Sequence, residues 1–269
     1  MAQTNYQDIQ VTQEGFTATI HLNRPGVLNA FRKTTFDEFQ MALDELRSSD
    51  CRTIILTGVG RAFCAGQDLA ELLDRKSGNL DSRLEIDALG ELEVFQQLTR
   101  SLVSLPQIVI AALNGPAVGV GAEIALAADI RVASEDAYIA FMEAKRGLFQ
   151  TNGVIYLLPR IIGYGRAVEL LLTGRKAYAR ELYEMGFVTQ ITSSNQLIPQ
   201  VHDIATTLNT NAPLSLQLIK ENLRKSLELT FEEVLHLEVE GMLRCLKSED
   251  LWEGVRAFTE KRLPVYEGK

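Results

Sequence analysis

The sequence predicts an α/β protein: a body that repeats strand, strand, helix, followed by an all-helical C-terminal region. Three observations carry that expectation. Residues 108–113 are continuously apolar and partly β-branched, as a strand buried on both faces requires. The run breaks at Asn114-Gly115-Pro116 and passes through Gly119 and Gly121 into a helix-forming stretch, residues 122–128. From Asn195 onward apolar residues recur only at helical spacing.

In chain order, residues 9–12 and 16–22 alternate around Glu14-Gly15 and predict an opening hairpin. Asn23-Arg24-Pro25-Gly26 forms a turn, because proline and glycine both interrupt pairing. Phe36, Phe39, Leu43 and Leu46 recur at helical spacing and give residues 35–46 one inward face. Residues 52–57 form a short Ile-rich strand ended by Gly58 and Gly60. A second loop, residues 61–68, runs into a helical pattern from Leu69. Ser77-Gly78-Asn79 marks residues 76–82 as a loop excursion, and residues 85–105 form a long helix leading into the 108–113 strand.

Beyond Ser134, residues 137–141 are strand-like and residues 147–153 a loop; residues 154–162 are apolar but contain Pro159. Helical patterns at 166–173 and 179–185 stop at Gly174 and Gly186, and residues 187–192 make a last strand. Four helical patterns follow, at 196–208, 213–227, 231–245 and 249–261. The expected division is therefore a body, residues 1–194, and a helical region, residues 195–269.

Composition narrows the function. A chain of 269 residues can bury a large core, and 46% apolar with 23% charged residues is ordinary for a soluble enzyme. Net charge is −8, from 27 basic and 35 acidic residues, with no basic cluster, so a nucleic-acid partner is not expected. Cys51, Cys64 and Cys245 lie far apart without CxxC spacing, which argues for a reducing compartment and against a disulfide framework or zinc site. The first residues lack a basic stretch followed by an apolar one, and Asn114, Glu123 and Asp129 interrupt the most apolar region. A cytoplasmic protein with no membrane partner is the expectation.

His21, His202 and His236 lie neither near a Ser/Asp pair nor at metal-ligand spacing, and no phosphate-binding or dinucleotide fingerprint follows a strand. Triads, metals and nicotinamide cofactors drop out, leaving carboxylates and backbone amides. A glycine loop opening into a helix aims unpaired N–H groups and the positive end of a helix dipole at whatever lies above it. Glu123 falls in the first turn of that helix, and Glu143 follows the 137–141 strand. Each has an ordinary alternative: Glu123 as an acid offsetting the dipole, Glu143 as a helix-start acid or a salt-bridge partner. Together, framing an anion-holding loop, they would supply an acid/base pair for a substrate whose carbonyl becomes an oxyanion.

These residues carry a family resemblance. Arg61-Ala-Phe-Cys-Ala-Gly-Gln-Asp-Leu69 and the segment from Asn114 through Glu123 and Asp129 to Ser134 resemble two loops of the crotonase (enoyl-CoA hydratase/isomerase) superfamily. Asn23-Arg-Pro with Asn29-Ala30, Leu158-Pro-Arg-Ile-Ile-Gly163 and Phe258-Thr-Glu-Lys-Arg262 resemble its other motifs, in the same order along nearly the whole chain. The resemblance implies a spiral of ββα units with an all-helical C-terminal trimerisation region, assembled as trimers or pairs of trimers. It implies an acyl-CoA thioester substrate, with coenzyme A part of the substrate and no separate cofactor. The enolate would be held by the N–H groups of Gln67 and Val120, and Glu123 and Glu143 would bracket the Cα–Cβ bond and activate water. CoA would lie along Gly26, Val27 and Leu28 and along Ala65, Gln67, Asp68 and Leu69. Phe258 and Lys261 would reach the CoA of a neighbouring site, unless they serve only helix packing and solvation.

Two glutamates favour a hydratase over a double-bond isomerase, which shuttles a proton with one carboxylate. A non-catalytic RNA-binding or scaffold member, and a hydrolase or decarboxylase on the same fold, are weaker alternatives. Two departures from the family pattern stand out. Val120 occupies a position where consecutive glycines are common, and Phe149-Gln-Thr-Asn152 replaces a glycine-rich run that in hydratases helps hold water.

Overall fold

The computed structural model describes residues 5–68 and 83–269, the side chains of residues 83–91 excepted. The expected helical pattern from Leu69 and the 76–82 excursion lie outside the described residues.

Strands β1 (Ile9–Glu14) and β2 (Thr17–Leu22) pair antiparallel across Gly15, whose φ of 55° makes the tight turn. Helix α1 (Lys33–Arg47) and strand β3 (Thr53–Gly58) follow. Helix α2 (Arg83–Ser104) then leads into β4 (Ile108–Leu113), in which every residue is buried. The middle of the chain contributes β5 (Ala117–Val118), α3 (Val120–Ala127), β6 (Ile130–Ser134) and β7 (Tyr138–Ala140). It continues with α4 (Val154–Ile162), α5 (Tyr164–Thr173), β8 (Ala177–Tyr178), α6 (Ala179–Glu184) and β9 (Gln190–Thr192). The chain ends in α7 (Leu197–Asn209), α8 (Pro213–Ser226), α9 (Phe231–Leu246) and α10 (Glu249–Glu260).

The larger sheet has the order β1-β2-β3-β4-β6-β9 and the smaller one β5-β7-β8. From β4 onward each strand pair gives one strand to each sheet, so the chain winds as the expected ββα spiral. β2, β3, β4, β6 and β9 run parallel, which requires crossovers and places helices on both faces. The register shows why β4 is continuously apolar. Val109, Ala111 and Leu113 join the main core with Phe31, Phe39, Leu43 and Leu102, whereas Ile110 and Ala112 meet Leu197, Val201 and Ala205 of α7 on the opposite face. Each such fully buried Leu, Ile or Phe contributes about 1.5–3 kcal/mol relative to exposure.

Residues 154–162 form a helix despite Pro159. Val154, Leu158 and Ile162 lie one turn apart and are all buried, and the helix ends at Gly163 (φ 84°), just beyond the proline. That buried stripe outweighs the roughly 3 kcal/mol that an interior proline costs. Strand β6 is a second feature without a clean sequence signal, because a buried arginine interrupts it. Arg131 donates from Nε to the Phe187 carbonyl at 2.6 Å and from Nη1 to the Ala128 carbonyl at 2.7 Å. It thus meets the open carbonyl end of α3, where a cation is favoured by the dipole. Burial lowers its pKa to about 10, with the Asp129 charge acting in the other direction. Asp129 in turn accepts from Val109 N and from Lys220 and Arg224 of α8, tying that helix to the β4–α3 corner.

Replacing Arg131 by Met should destabilise the fold by about 2–4 kcal/mol, because two buried carbonyls lose their donor. A urea unfolding midpoint equal to that of the wild type would contradict this role.

Candidate active site

Two loops meet at the C-terminal ends of β3 and β4, and the carboxamides of buried Asn29 and half-buried Asn114 hold the first of them. Asn29, 1% exposed, donates from Nδ2 to the carbonyls of Val59, Ala62 and Phe63 and accepts from Arg24 N. Asn114 donates to the Gly60 and Ala62 carbonyls and accepts from Gly58 N. The loops then join directly. Cys64 and Ala117 form a parallel bridge in which Cys64 N donates to the Pro116 carbonyl at 3.1 Å and Val118 N to the Cys64 carbonyl at 2.9 Å. A Cβ at Gly121 would fall 2.4 Å from the Cys64 carbonyl oxygen, so only glycine permits this approach. The Cys64 thiol, buried in the seam, is pushed up to about 12 by that burial.

The seam leaves two amides open. Phe31 and Gln67 form a second bridge: Phe31 N donates to the Gly66 carbonyl and Asp68 N to the Phe31 carbonyl, both at 2.8 Å. A residue flanked in this way turns its own N–H to the opposite side. Val120 is the first residue of α3, whose first-turn donors have no intrahelical acceptor. Gly119 N reaches the Ala140 carbonyl and Glu123 N the Gly119 carbonyl, but neither Gln67 N nor Val120 N finds an acceptor among the described residues. Gly66 and Gly119 abut, a Cβ on Gly119 falling 3.9 Å from Gly66 Cα, so both amides belong to one seam. Valine at position 120 is accommodated because its side chain packs into the core, 8% exposed, leaving the N–H outward.

Both glutamates stand at this seam. Glu123, 2% exposed, accepts from Asn152 Nδ2 at 2.5 Å and Thr151 Oγ1 at 3.5 Å. Burial raises its pKa from an ordinary 4.5 to about 7; the Asn152 hydrogen bond opposes that rise and the Glu143 charge adds to it. Glu143, half-buried, begins a single 3-10 turn (Ala144–Arg146) after β7. Its Oε1 lies against Gly119, where an added Cβ would come within 3.2 Å, and its Oε2 accepts from Gln150 Nε2 at 3.0 Å. Among the described residues neither glutamate forms an ion pair. Glu123 does not cap its own helix either, since Gly119 occupies the cap position.

Gln150, Thr151 and Asn152 are the polar partners that sequence reasoning treated only as a departure from a glycine run. The available signal was the pair of carboxamides themselves. Asn152 (φ 53°) and Gly153 (φ 76°) take consecutive left-handed conformations, which fold the segment back over α3.

Gly26 and Val27 are exposed on a 3-10 turn, Pro25–Val27, and Leu28 is half-buried. The Leu28 carbonyl accepts from Ala65 N at 2.9 Å, which lays residues 26–28 beside residues 65–68. Asp68 pairs with Arg24 Nη1 at 3.1 Å, and Leu69 lies outside the described residues. Phe258 and Lys261 are not brought to this edge: both are exposed at the end of α10, and no hydrogen bond or ion pair joins them to the loops among the described residues. Among the described residues no group of three or more His, Cys, Asp or Glu side chains is placed to hold a metal ion. None of the helices, searched over the described residues, is long and apolar enough to cross a membrane.

A carboxylate whose folded pKa lies above its unfolded value binds more protons when folded, so its contribution to stability falls as pH rises from about 4.5 to about 7. Glu123→Gln should therefore stabilise the protein at pH 8 by an amount of order 2–3 kcal/mol and leave it nearly unchanged at pH 4.5. Thermal unfolding at the two pH values measures the difference, and a variant destabilised equally at both would refute the raised pKa.

The sequence profile of the enoyl-CoA hydratase/isomerase family matches residues 12–269. The chain is 37% identical over 254 residues to the 1,2-epoxyphenylacetyl-CoA isomerase of Escherichia coli (strain K12), covering 93% of this chain and 95% of that one. It is 32% identical to the short-chain-enoyl-CoA hydratase of Clostridium acetobutylicum, covering 95% of each. The solved structure of enoyl-CoA hydratase from Bacillus anthracis superposes with a TM-score of 0.90 at 33% identity, over 98% of this chain and 100% of that one. Motifs, fold and relatives agree: this chain belongs to the enoyl-CoA hydratase/isomerase, or crotonase, family.

Proposed function

We propose that this member of the family hydrates the 2,3 double bond of a 2-enoyl-CoA thioester. One observation carries the reading: two carboxylates from different elements, each held by its own carboxamide, flank a seam where two amides lack acceptors. In this reading the thioester oxygen accepts from Gln67 N and Val120 N. Charge developing there as water adds is stabilised by those donors and by the N-terminus of α3, at roughly 3–4 kcal/mol per donor. Glu123, with its pKa near 7, deprotonates water for attack at Cβ, and Glu143 exchanges the proton at Cα. CoA runs along Gly26, Val27 and Leu28 and past Ala65, Gln67, Asp68 and Leu69.

Phe258 and Lys261, exposed at the end of α10, would serve the CoA of a second copy in a trimer or a pair of trimers. Exposed Ile219, Leu223 and Met242, around a groove of about 560 Å³ between α8 and α9, suit such an assembly.

A double-bond isomerase is the second reading. A carboxyl that titrates near 7 can both take and return a proton, and one relative bears the name of an isomerase. Turnover of crotonyl-CoA in oxygen-18 water separates the two. Hydration labels the product, and Glu123→Gln and Glu143→Gln should each lower kcat by about 10²–10⁴-fold. Unlabelled, double-bond-shifted product from a longer enoyl-CoA would favour the isomerase. Unchanged turnover in both variants would remove the acid/base pair.

A further inference from the structure

The segment after Glu143 does more than close a loop. Gln150 and Asn152, two residues apart, reach different carboxylates: Gln150 Nε2 meets Glu143 and Asn152 Nδ2 meets Glu123. Each carboxamide also keeps an acceptor in reserve, because Gln150 Oε1 and Asn152 Oδ1 are buried without a partner. An orphaned buried oxygen is ordinarily costly, so its presence calls for a reason. A carboxyl group that changes protonation supplies one. As a carboxylate it needs a donor; once protonated it needs an acceptor for its O–H. A carboxamide offers both, exchanging them by a half-turn about its terminal torsion, whereas a backbone N–H can only donate.

We propose that Gln150 and Asn152 are positioning residues forming a two-amide clamp that holds Glu143 and Glu123 in place through both protonation states. The proposal rests on the reading that these glutamates exchange protons during turnover. It explains why the segment carries amides where small residues would also complete the turn. Asn152 suits the task twice, since asparagine also tolerates the left-handed φ of 53° at that position. The other titratable groups bearing on Glu123 are Glu143, from the turn after β7, and the Cys64 thiol, from the 61–68 loop. Helices α2 and α4, which pack against α3, bring Leu98, Leu102, Val154 and Leu158 to the same core. No ion pair reaches either carboxylate among the described residues. Thr151 Oγ1 adds a longer contact to Glu123 at 3.5 Å, which leaves the two carboxamides as the closest partners of the pair.

The test measures protonation without turnover. A pH titration of the protonated-carboxyl stretch by difference infrared spectroscopy, assigned by its loss in E123Q, follows Glu123 in the wild type, N152G, N152D and Q150A. N152G keeps the left-handed backbone and deletes only the amide. Its midpoint should rise by about one pH unit, the order expected for a lost charge-assisted hydrogen bond. N152D keeps the shape and adds a negative charge, so its midpoint should rise further. Q150A should displace the Glu123 midpoint least. In parallel, kcat should fall about 10–100-fold in N152G with KM changed by no more than about threefold.

An unmoved midpoint in both Asn152 variants, whatever their activity, would overturn the clamp. Titrations that shift as expected in an enzyme that forms no hydrated product would leave the clamp standing and sink the hydratase reading instead.

Discussion

The contact on which the rest depends is the bridge between Cys64 and Ala117, with Gly121 pressed against the Cys64 carbonyl. It joins two loops that leave neighbouring parallel strands and would otherwise diverge over the sheet edge. Only when they are pressed together do Gln67 and Val120 lie at one seam. A side chain at Gly121 would intrude to 2.4 Å, a distance the bridge cannot absorb without parting. Asn29 and Asn114 fasten the first loop from behind by satisfying carbonyls that its irregular backbone leaves open. The apolar sheet thus supplies rigidity, and these two carboxamides convert it into placement.

Helix α3 has only eight residues, too few to be stable alone. It persists because every residue of it is buried and because its two ends are treated differently. Arg131 and Arg224 attend to the carbonyl end, while the amide end remains open toward the seam. The buried Glu123 within it is costly as an anion, and that cost shows as a pKa near 7. The same burial that weakens the fold at high pH gives a carboxyl able to accept and release a proton near neutrality. Stability at high pH and a pKa near neutrality are opposed at this residue. The surrounding core, with five fully buried phenylalanines among its largest side chains, supports the strain.

Much of the fold was legible in the sequence because its signals are local. The β4 run, the glycine loop and the C-terminal helices each follow from spacing that a short window reveals. What escaped was tertiary in origin. Pro159 obscured a helix that exists because Val154, Leu158 and Ile162 find a buried surface. Arg131 obscured strand β6 because its reason lies in the carbonyls of α3 and Phe187. At the site, Glu123 and Glu143 could be chosen from position, and Gln67 and Val120 from the family pattern. Gln150 and Asn152 offered only their residue types as a signal, since their contacts appear once the chain folds back and each amide meets a carboxylate. Phe258 and Lys261 show the converse limit: both are exposed at the end of α10, where no contact within one chain reports on a role.

The most direct measurement is of the substrate carbonyl itself. Isotope-edited difference Raman spectroscopy of a bound, unreactive enoyl-CoA analogue reports how strongly the thioester C=O is polarised. If the amides of Gln67 and Val120 converge on that oxygen, the stretch should move to lower frequency on binding. In Gly121→Ala, where the loops are forced apart, it should return toward the solution value. A bound analogue whose carbonyl frequency matches that in water, or one unaffected by the alanine, would contradict the central claim.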